Sequence, residues 1–293
     1  MPDTNGHITN GNGASAVAER APLLRVEDLS IAVPTDEGRR TTVEGVSFGL
    51  ARGRSLGLVG ESGSGKTLTC RAVLGILPPG CTQAGGTIEF DGQGLAAFDE
   101  RQWRKIRSTR VGAVFQDPAS YLNPSLSVGR QLSELLRVKG GKDRKEAKRR
   151  SIELFDMVGL REPDRVYHQI PAHLSGGMQQ RVMMAMAISC DPDLLVADEP
   201  TTALDVKTQG EILALLRELR ERLGLAVLFV SHDLDVIAAI CDDVAVFHHG
   251  QVVEAGPTME ILANPTHPHT QGLVAASGVA DRVHGLQAEA IDA

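Results

Sequence analysis

Residues Gly60-Glu61-Ser62-Gly63-Ser64-Gly65-Lys66-Thr67 lie between an apolar run at 55–59 and a segment with helical periodicity at 66–77. Glycines let a backbone curve tightly, so successive N–H groups of such a loop can point at phosphate oxygens. The helix that follows adds the positive end of its dipole to the same anion. A strand, a glycine loop and a helix in this order predict an α/β nucleotide-binding core. Lys66 would reach the β- and γ-phosphates, and Thr67 would offer its hydroxyl to Mg²⁺.

Two adjacent carboxylates follow a second apolar run. Residues 194–197 are Leu-Leu-Val-Ala, which is typical of a strand buried on both faces, and Asp198 and Glu199 come next. The carboxyl ends of parallel strands line the crevice in which ligands of open α/β sheets bind. We expect Asp198 to serve Mg²⁺ and Glu199 to polarise the attacking water near the γ-phosphate. Alone, the pair would also fit two acids at a helix start, stabilised by the dipole.

A second glycine turn precedes a helix predicted over 177–189. It reads Leu174-Ser175-Gly176-Gly177-Met178-Gln179-Gln180. Ser175 is a favourable N-cap and the glycines expose backbone N–H groups, so the turn predicts a second anion site. An isolated Ser-Gly-Gly would more often be an ordinary capped helix.

Composition excludes several classes of protein. The 293 residues are 42% hydrophobic and 23% charged, which is ordinary for a globular protein. A net charge of -7 and only 3% aromatic residues argue against a nucleic-acid partner. The cysteines are widely spaced, which is typical of reduced thiols. No apolar run approaches the roughly 20 residues of a membrane span. We expect a cytoplasmic protein with a disordered tail over residues 1–22.

Alternating strand and helix patterns extend over most of the chain. Early strands are predicted at 23–30, 41–50 and 86–91, and helices follow at 128–138 and 144–158. After residue 177, strands at 194–197, 225–230 and 243–247 alternate with helices at 207–222 and 233–240, which implies a parallel sheet. A return strand at 251–255 precedes a short helix that ends at Ala263. The Pro- and His-rich residues 264–273 are predicted to be only a connection.

Further residues, in a fixed order, make a family resemblance specific. Gln116 ends a strand, Ala203-Leu204-Asp205 follows the carboxylate pair, and His232 follows a later strand. With the two glycine motifs, this order resembles the ATP-binding cassette (ABC) ATPases over roughly residues 23–256. Gln116 resembles the Q-loop glutamine, residues 174–180 the signature motif, Asp205 the D-loop aspartate, and His232 the switch histidine that contacts the γ-phosphate. Alone, His232 would also fit a helix cap.

The resemblance implies an architecture and a set of roles. It implies an ATPase domain over 23–263 with a mostly parallel sheet, an antiparallel β subdomain, a helical subdomain at about 117–175, and a short extension over 264–293. Catalytic roles fall on Glu199, His232 and Gln116, and Mg²⁺ ligation on Thr67, Gln116 and Asp198. The residues implied to bind ATP are Gly60, Glu61, Ser62, Gly63, Ser64, Gly65, Lys66 and Thr67. Those implied to act on the ATP of a partner subunit in a head-to-tail dimer are Ser175, Gly176, Gly177 and Gln179.

Finer features resemble the dipeptide, oligopeptide and nickel importer subfamily. They are Phe115-Gln116-Asp117-Pro118, Leu122-Asn123-Pro124 and the segment 264–273. Two departures stand out. Val33 occupies the adenine-side position that usually holds an aromatic residue, which predicts weaker stacking. Many members carry a cysteine-rich C-terminal extension that binds an iron–sulfur cluster, but no cysteine follows Cys241 here, so we expect no cluster.

The subfamily resemblance implies partners and a location. They are an integral membrane permease, a second identical or related ATPase subunit and, indirectly, an extracytoplasmic solute-binding protein, with no nucleic acid. The chain would lie on the inner face of the cell membrane. The alternative is a soluble ABC ATPase unconnected with transport, acting on DNA or ribosomes. No sustained heptads separate Gln116 from Ser175, which disfavours the DNA-organising class. A P-loop kinase would leave Ser175-Gly176-Gly177 and His232 unexplained.

Overall fold

The computed structural model describes residues 22–202 and 204–279, so the predicted tail over 1–22 lies almost wholly outside the described residues. The strands are β1 Leu24–Thr35, β2 Gly38–Leu50, β3 Ser55–Gly60, β4 Thr82–Phe90, β5 Gln93–Gly94, β6 Val111–Val114, β7 Leu194–Asp198, β8 Ala226–Ser231, β9 Asp243–His248 and β10 Gln251–Pro257. The helices are α1 Lys66–Val73, α2 Glu100–Thr109, α3 Pro118–Tyr121, α4 Val128–Val138, α5 Arg144–Met157, α6 Pro163–Tyr167, α7 Gly176–Ala187, α8 Val206–Leu223, α9 Leu234–Ile240, α10 Thr258–Ala263 and α11 Pro268–Ser277. Across these ranges, none of the helices combines the length and apolarity needed to cross a bilayer.

In the larger sheet, the carboxyl ends of three neighbouring strands lie side by side. Its order is β10-β9-β3-β8-β7-β6, and every neighbouring pair is parallel except β9 with β10. β3 is central and wholly buried. Val59 pairs with Ser231, and Asp198 pairs with Val230. The glycine loop at the end of β3, the carboxylates at the end of β7 and His232 after β8 therefore lie side by side.

Both faces of this sheet are covered by apolar side chains. Leu195 and Ala197 face a core shared with helices α4 to α11, whereas Leu194 and Val196 face a core shared with α1 and the second sheet. The alternation follows from the period of two in a strand. Burial on both faces explains why the sequence of β7 is apolar throughout up to Asp198.

The second sheet is antiparallel, in the order β2-β1-β4-β5. β1 and β2 form a hairpin with Asp36 and Glu37 at its tip, since Thr35 pairs with Gly38. Both strands extend further toward this turn than the sequence patterns at 23–30 and 41–50 predict. Consequently Val33 and Arg40 are direct cross-strand partners.

Gly250 joins the hairpin to the glycine loop. Its N–H donates to the carbonyl of Ser64 over 3.1 Å, and its carbonyl accepts from the N–H of Glu44 in β2 over 2.8 Å. Its φ is +85°, and a Cβ there would overlap the carbonyl oxygen of Thr42. Only glycine allows the backbones to approach this closely.

Two arginines and two aspartates join the two sheets at the end opposite to the glycine loop, next to the amino ends of β6 and β7. Arg52 and Arg110 each bridge Asp91 and Asp193. Hydrogen bonds from Arg110 and Arg52 lower the pKa of Asp91 below its usual value. Because the four side chains form a network rather than an isolated pair, the arrangement restrains the strand ends that carry them.

One helix prediction ran too long. α1 ends at Val73 rather than Leu77. Gly75 follows with φ +63°, and a Cβ there would lie 2.6 Å from the ring of Trp103. The indole of α2 therefore occupies the space in which α1 would have continued.

The prediction that residues 264–273 are only a connection was wrong, because α11 begins at Pro268. The ring of His267 caps it by accepting from the N–H of His269 over 3.2 Å, and Pro268 occupies the first turn, where its missing N–H costs nothing. Gly278 ends the helix in the left-handed conformation. Glu254 fixes the approach by accepting from Thr266 over 2.8 Å.

A group of histidines packs α11 against the end of β9. The ring centroids of His248 and His269 are 3.8 Å apart, and those of His248 and His249 are 4.0 Å apart. Burial, and then the neighbouring His248, lower the pKa of His269 below its usual value, opposed by the carboxylate of Glu61. Because Gly60 pairs with Phe247, the residue before His248, α11 lies close to the first residues of the glycine loop.

Candidate active site

The glycine loop has the strained backbone that an anion cradle requires. Gly60, Gly63 and Gly65 have φ values of +149°, +82° and +106°. A Cβ on Gly60 would overlap the carbonyl of Phe247 in β9. Gly65 precedes α1, and no side chain caps that helix, whereas α2, α4, α5, α7 and α8 all begin at a capping Asp or Ser. The free N–H groups of α1 are therefore left for an anion.

Lys66 is buried beneath this loop. Its side chain donates to the carbonyls of Gly60 and Glu61 over 2.7 and 2.8 Å and to the Ser64 hydroxyl over 3.3 Å. Burial lowers the pKa of Lys66, and the carboxylate of Glu199 opposes the shift. Hydrogen bonds to loop oxygens thus hold the ammonium group at the floor of the site, where it can contact an anion.

Asp198 and Thr67 are in direct contact. The Thr67 hydroxyl donates to Oδ1 of Asp198 over 3.0 Å. Burial raises the pKa of Asp198, and the hydrogen bond from Thr67 opposes the rise. A hydroxyl and a carboxylate oxygen side by side, in a place where negative charge lacks water, are the hard ligands that Mg²⁺ prefers. The residues present therefore fit this ion.

Glu199 is held in an uncommon conformation. Its φ is +48°, in the left-handed region that costs a residue with a Cβ about 1–2 kcal/mol. Its N–H donates to the carbonyl of Val230 over 3.1 Å, and its Oε2 accepts from the Thr202 hydroxyl over 2.9 Å. Nδ1 of His232 lies 3.4 Å from the same oxygen. These contacts fix the carboxylate, and the sequence patterns missed the part of Thr202.

The capping alternative for His232 is answered by its neighbours. α9 is capped by Asp233, whose Oδ1 accepts from the N–H of Asp235 over 2.8 Å. The Ser231 hydroxyl in turn accepts from the N–H of Asp233 over 2.9 Å. His232 takes no part in the cap, and its ring is half exposed beside Glu199.

A cavity of about 470 Å³ opens above the glycine loop. It brings together residues of the loop, the hairpin and the carboxylate pair, as follows: Val33, Arg40, Thr42, Ser62, Gly63, Gly65, Lys66, Thr67, Leu68 and Glu199. The family resemblance implies that Val33 lies on the adenine side of the nucleotide. Arg40 and Thr42 were missed, although the two-residue turn of the hairpin makes Arg40 the cross-strand partner of Val33.

The signature residues lie elsewhere. Ser175 caps α7 by accepting from the N–H of Met178 over 3.3 Å, and Ser175 and Gly176 are exposed. The side chain of Gln179 donates to the carbonyls of Pro171 and Leu174 over 3.0 and 3.2 Å. Neither the glycines nor Ser175 line the cavity above the glycine loop.

The signature helix instead packs on the start of α8. A Cβ on Gly177 would lie 2.5 Å from Cγ2 of Thr208. Thr208 cannot turn away freely, because its hydroxyl and its N–H both donate to Asp205, over 2.8 and 3.0 Å. Asp205 is thereby the N-cap of α8. Gly177 is required for this close approach, a reason that the sequence did not reveal.

Gln116 is exposed two residues beyond β6, the edge strand next to β7. Thr67 and Asp198 bond to each other, and Gln116 takes no part in that bond. The structure therefore places Gln116 at the carboxyl ends of the strands, as expected, but not in contact with the other residues implied to bind Mg²⁺.

Comparison with known proteins explains the combination of these motifs. The family model for ABC transporters matches residues 43–202. The chain belongs to the ABC transporter family. The oligopeptide transport ATP-binding protein OppD of Bacillus subtilis (strain 168) is 43% identical over 256 residues, which cover 87% of this chain and 71% of OppD. OppD of Salmonella typhimurium (strain LT2) is 41% identical over 267 residues, which cover 89% and 79%.

Solved structures of ABC cassettes share the fold. A dimeric, post-hydrolysis structure of the ATP-binding cassette MJ0796 with ADP and Pi has a TM-score of 0.72 at 28% identity, covering 80% of this chain and 98% of that one. The structure of cbiO1 from Clostridium perfringens, part of the ABC transporter complex cbiONQ, has the same score and identity, covering 84% and 92%. The α/β fold and the phosphate loop are those of an ABC ATPase, which binds and hydrolyses ATP.

The packing of Gly177 leads to a stability prediction. Gly177→Ala should lower the free energy of unfolding by about 1–3 kcal/mol, because its methyl group meets Thr208 with no room to relax. Adding Thr208→Ser, which removes the methyl group but keeps the hydroxyl bond to Asp205, should recover most of the loss. Urea denaturation of the single and double variants measures both.

The matched control for this prediction is Gly176→Ala. A Cβ at Gly176 would meet only Leu204, at an ordinary 3.5 Å. This variant should be close to the wild type in stability. Equal losses at the two glycines, or no recovery on adding Thr208→Ser, would contradict the packing explanation.

Proposed function

We propose that this chain is the ATP-hydrolysing subunit of an importer that takes up peptides or related small solutes through a separate membrane permease. The ATPase part rests on one observation. Lys66, Asp198, Glu199 and His232 converge at the carboxyl ends of the central strands. The import part rests on extensive similarity to peptide import ATP-binding proteins from several bacteria.

Each residue of the site has a chemical task in this proposal. The uncapped start of α1 and the ammonium of Lys66 bind the phosphate chain, for which Lys66 exchanges its bonds to loop oxygens. Glu199 accepts a proton from the attacking water, and His232 lies beside it to contact the γ-phosphate. Mg²⁺ held by Thr67 and Asp198, with Gln116 approaching on binding, would neutralise charge on the phosphate oxygens.

The signature turn belongs to the other half of the site. Ser175 and Gly176 are exposed, and the N-terminus of α7 presents N–H groups away from the chain's own cavity. The Ser175 cap takes only the N–H of Met178, so the N–H groups of Gly176 and Gly177 could bind phosphate and complete the ATP site of a second subunit in a head-to-tail dimer. A dimeric neighbour with ADP and Pi supports this arrangement.

A groove alongside the edge strand β6 suits the permease. It measures about 460 Å³ and lies between α2, β6 and the helices α3, α4 and α7. Tyr121, 51% exposed, stacks on Phe115 at 4.8 Å, and Ile76 is 40% exposed nearby. Exposed apolar side chains rimmed by Lys139 and Arg107 are typical of a docking site for a protein segment. Gln116 lies next to Phe115, so the groove and the site would be coupled through this strand end.

The first test concerns catalysis. Glu199→Gln should retain ATP binding and lose at least about 100-fold in turnover, because the amide cannot accept the proton. Equilibrium binding and phosphate release measure the two effects. Glu260→Gln, on the exposed side of α10, is the control and should leave both unchanged. Wild-type turnover in the Glu199 variant would refute the assignment.

The second test concerns the shared site. Lys66→Ala and Ser175→Asp variants should each be inactive, the latter because Asp keeps the helix cap but repels phosphate. If the site is shared, mixing the two should restore turnover, since each mixed dimer contains one intact site. Ser127→Asp, the same exchange at the cap of α4, should remain active. A mixture that contains mixed dimers yet stays inactive would contradict the head-to-tail arrangement.

The third test separates import from the alternative of an ATPase unconnected with transport. The chain should purify from membranes together with an integral membrane permease, and Tyr121→Glu should reduce that recovery while leaving ATP binding intact. Ala275→Glu, a charge added on exposed α11, should have no effect. Recovery with ribosomes instead of a permease would favour the alternative.

A further inference from the structure

The wall of the cavity opposite the glycine loop holds a guanidinium group. Arg40 lines the cavity together with Val33, its cross-strand partner, and with Lys66 and Thr67 on the other side. Residues directly opposite on an antiparallel pair share a face, with Cβ atoms about 4.5–5.5 Å apart. The guanidinium is therefore attached immediately beside the apolar position from which an aromatic side chain is missing.

Alternation along β2 separates Arg40 from its neighbour. Arg39 points to the other side of the hairpin, where its Nη1 donates to the Thr82 hydroxyl over 2.8 Å. Among residues 22–202 and 204–279, Arg40 forms no ion pair or side-chain hydrogen bond. One arginine is thus used within the fold, and the other faces the cavity with its donors and its plane free.

A second polar group in the same wall also lacks a partner. The Thr42 hydroxyl is buried from solvent and has no hydrogen-bond partner in the described part of the chain. Thr42 lines the cavity two residues along from Arg40, where the pairing of β2 with β1 shifts register. Because this hydroxyl is shielded from solvent, the donors that the wall presents to the cavity are those of Arg40.

We propose that Arg40 is the nucleobase platform of this ATPase. Its planar guanidinium would stack on the base of the nucleotide whose phosphates occupy the glycine loop, with Val33 contacting the edge of the base. Guanidinium planes stack on aromatic rings and are only weakly hydrated, which suits this position better than an ammonium would. The inference rests on nucleotide binding at this loop and adds the residue that contacts the base.

The competing role for Arg40 is a contact with the phosphates. A point charge acting on phosphate would strengthen binding of any polyphosphate, whereas a stacking plane acts only on ligands that carry a base. Comparing ATP with inorganic tripolyphosphate, both with Mg²⁺, therefore separates the two roles. Calorimetric titration of both ligands into the wild type, Arg40→Ala, Arg40→Lys and Arg39→Ala provides the comparison.

The expected pattern is specific to stacking. Arg40→Ala should weaken ATP binding about 3- to 30-fold, the range of cation–π contacts. It should change tripolyphosphate binding less than about twofold, as for an exposed substitution. Arg40→Lys should behave like Arg40→Ala, because it keeps the charge but loses the plane. Arg39→Ala should change neither ligand. Adding Val33→Tyr to Arg40→Ala should restore ATP binding through an aromatic ring.

Three results would overturn the proposal. They are an equal loss for both ligands in Arg40→Ala, full ATP affinity in Arg40→Lys, and unchanged ATP affinity in Arg40→Ala. A wild-type chain that binds neither ligand would instead refute the nucleotide site itself, so failure of this inference and failure of the proposed function give different results.

Discussion

Burying the ammonium group of Lys66 beneath a turn of glycines costs desolvation energy, and the surrounding fold offsets that cost. Two loop carbonyls and a hydroxyl accept its protons, and the carboxylates after β7 oppose the fall in its pKa. The carbonyls point inward only because Gly60, Gly63 and Gly65 take backbone angles that other residues avoid. The carboxylates are close only because β7 and β3 flank β8 in one parallel sheet. The position of each of these elements is therefore tied to this charge.

The same desolvation acts in opposite directions on the two sides of the site. It lowers the pKa of Lys66 and raises that of Asp198. A site with both shifts gains most from a ligand that brings anionic oxygens to the ammonium and a cation to the carboxylate. A nucleoside triphosphate with its magnesium ion has this charge pattern. The electrostatics and the backbone geometry thus favour the same class of ligand.

The sequence predicts those features of the fold that depend on local pattern. The strand and loop before Lys66, the start of the helix at Lys66, and the helix at 128–138 are found where periodicity and glycine spacing place them. Features that depend on a distant side chain, or on the exact position of a residue within a segment, were missed. α1 stops early because of Trp103, and α11 forms because Pro268 and His267 fall at the helix start, where their usual penalties vanish. A composition rich in Pro and His carries no information about position.

The site divides in the same way. Lys66, Asp198 and Glu199 can be found from motifs, because their spacing follows from the chemistry of phosphate binding. Thr202 cannot, because its bond to Glu199 requires a left-handed backbone at Glu199 that no residue pattern marks. Nor can the need for a glycine at position 177, which follows from Thr208 thirty-one residues later.

Gly250 has a consequence for ligand size. Gly250 forms backbone hydrogen bonds to both the glycine loop and β2, so the loop and the hairpin wall cannot move apart without breaking one of these hydrogen bonds. The span between the floor at Lys66 and the wall at Val33 and Arg40 is therefore set by the chain itself, before any ligand arrives. The cavity therefore selects ligands by length, favouring those in which the distance between an anionic group and a planar group matches this span.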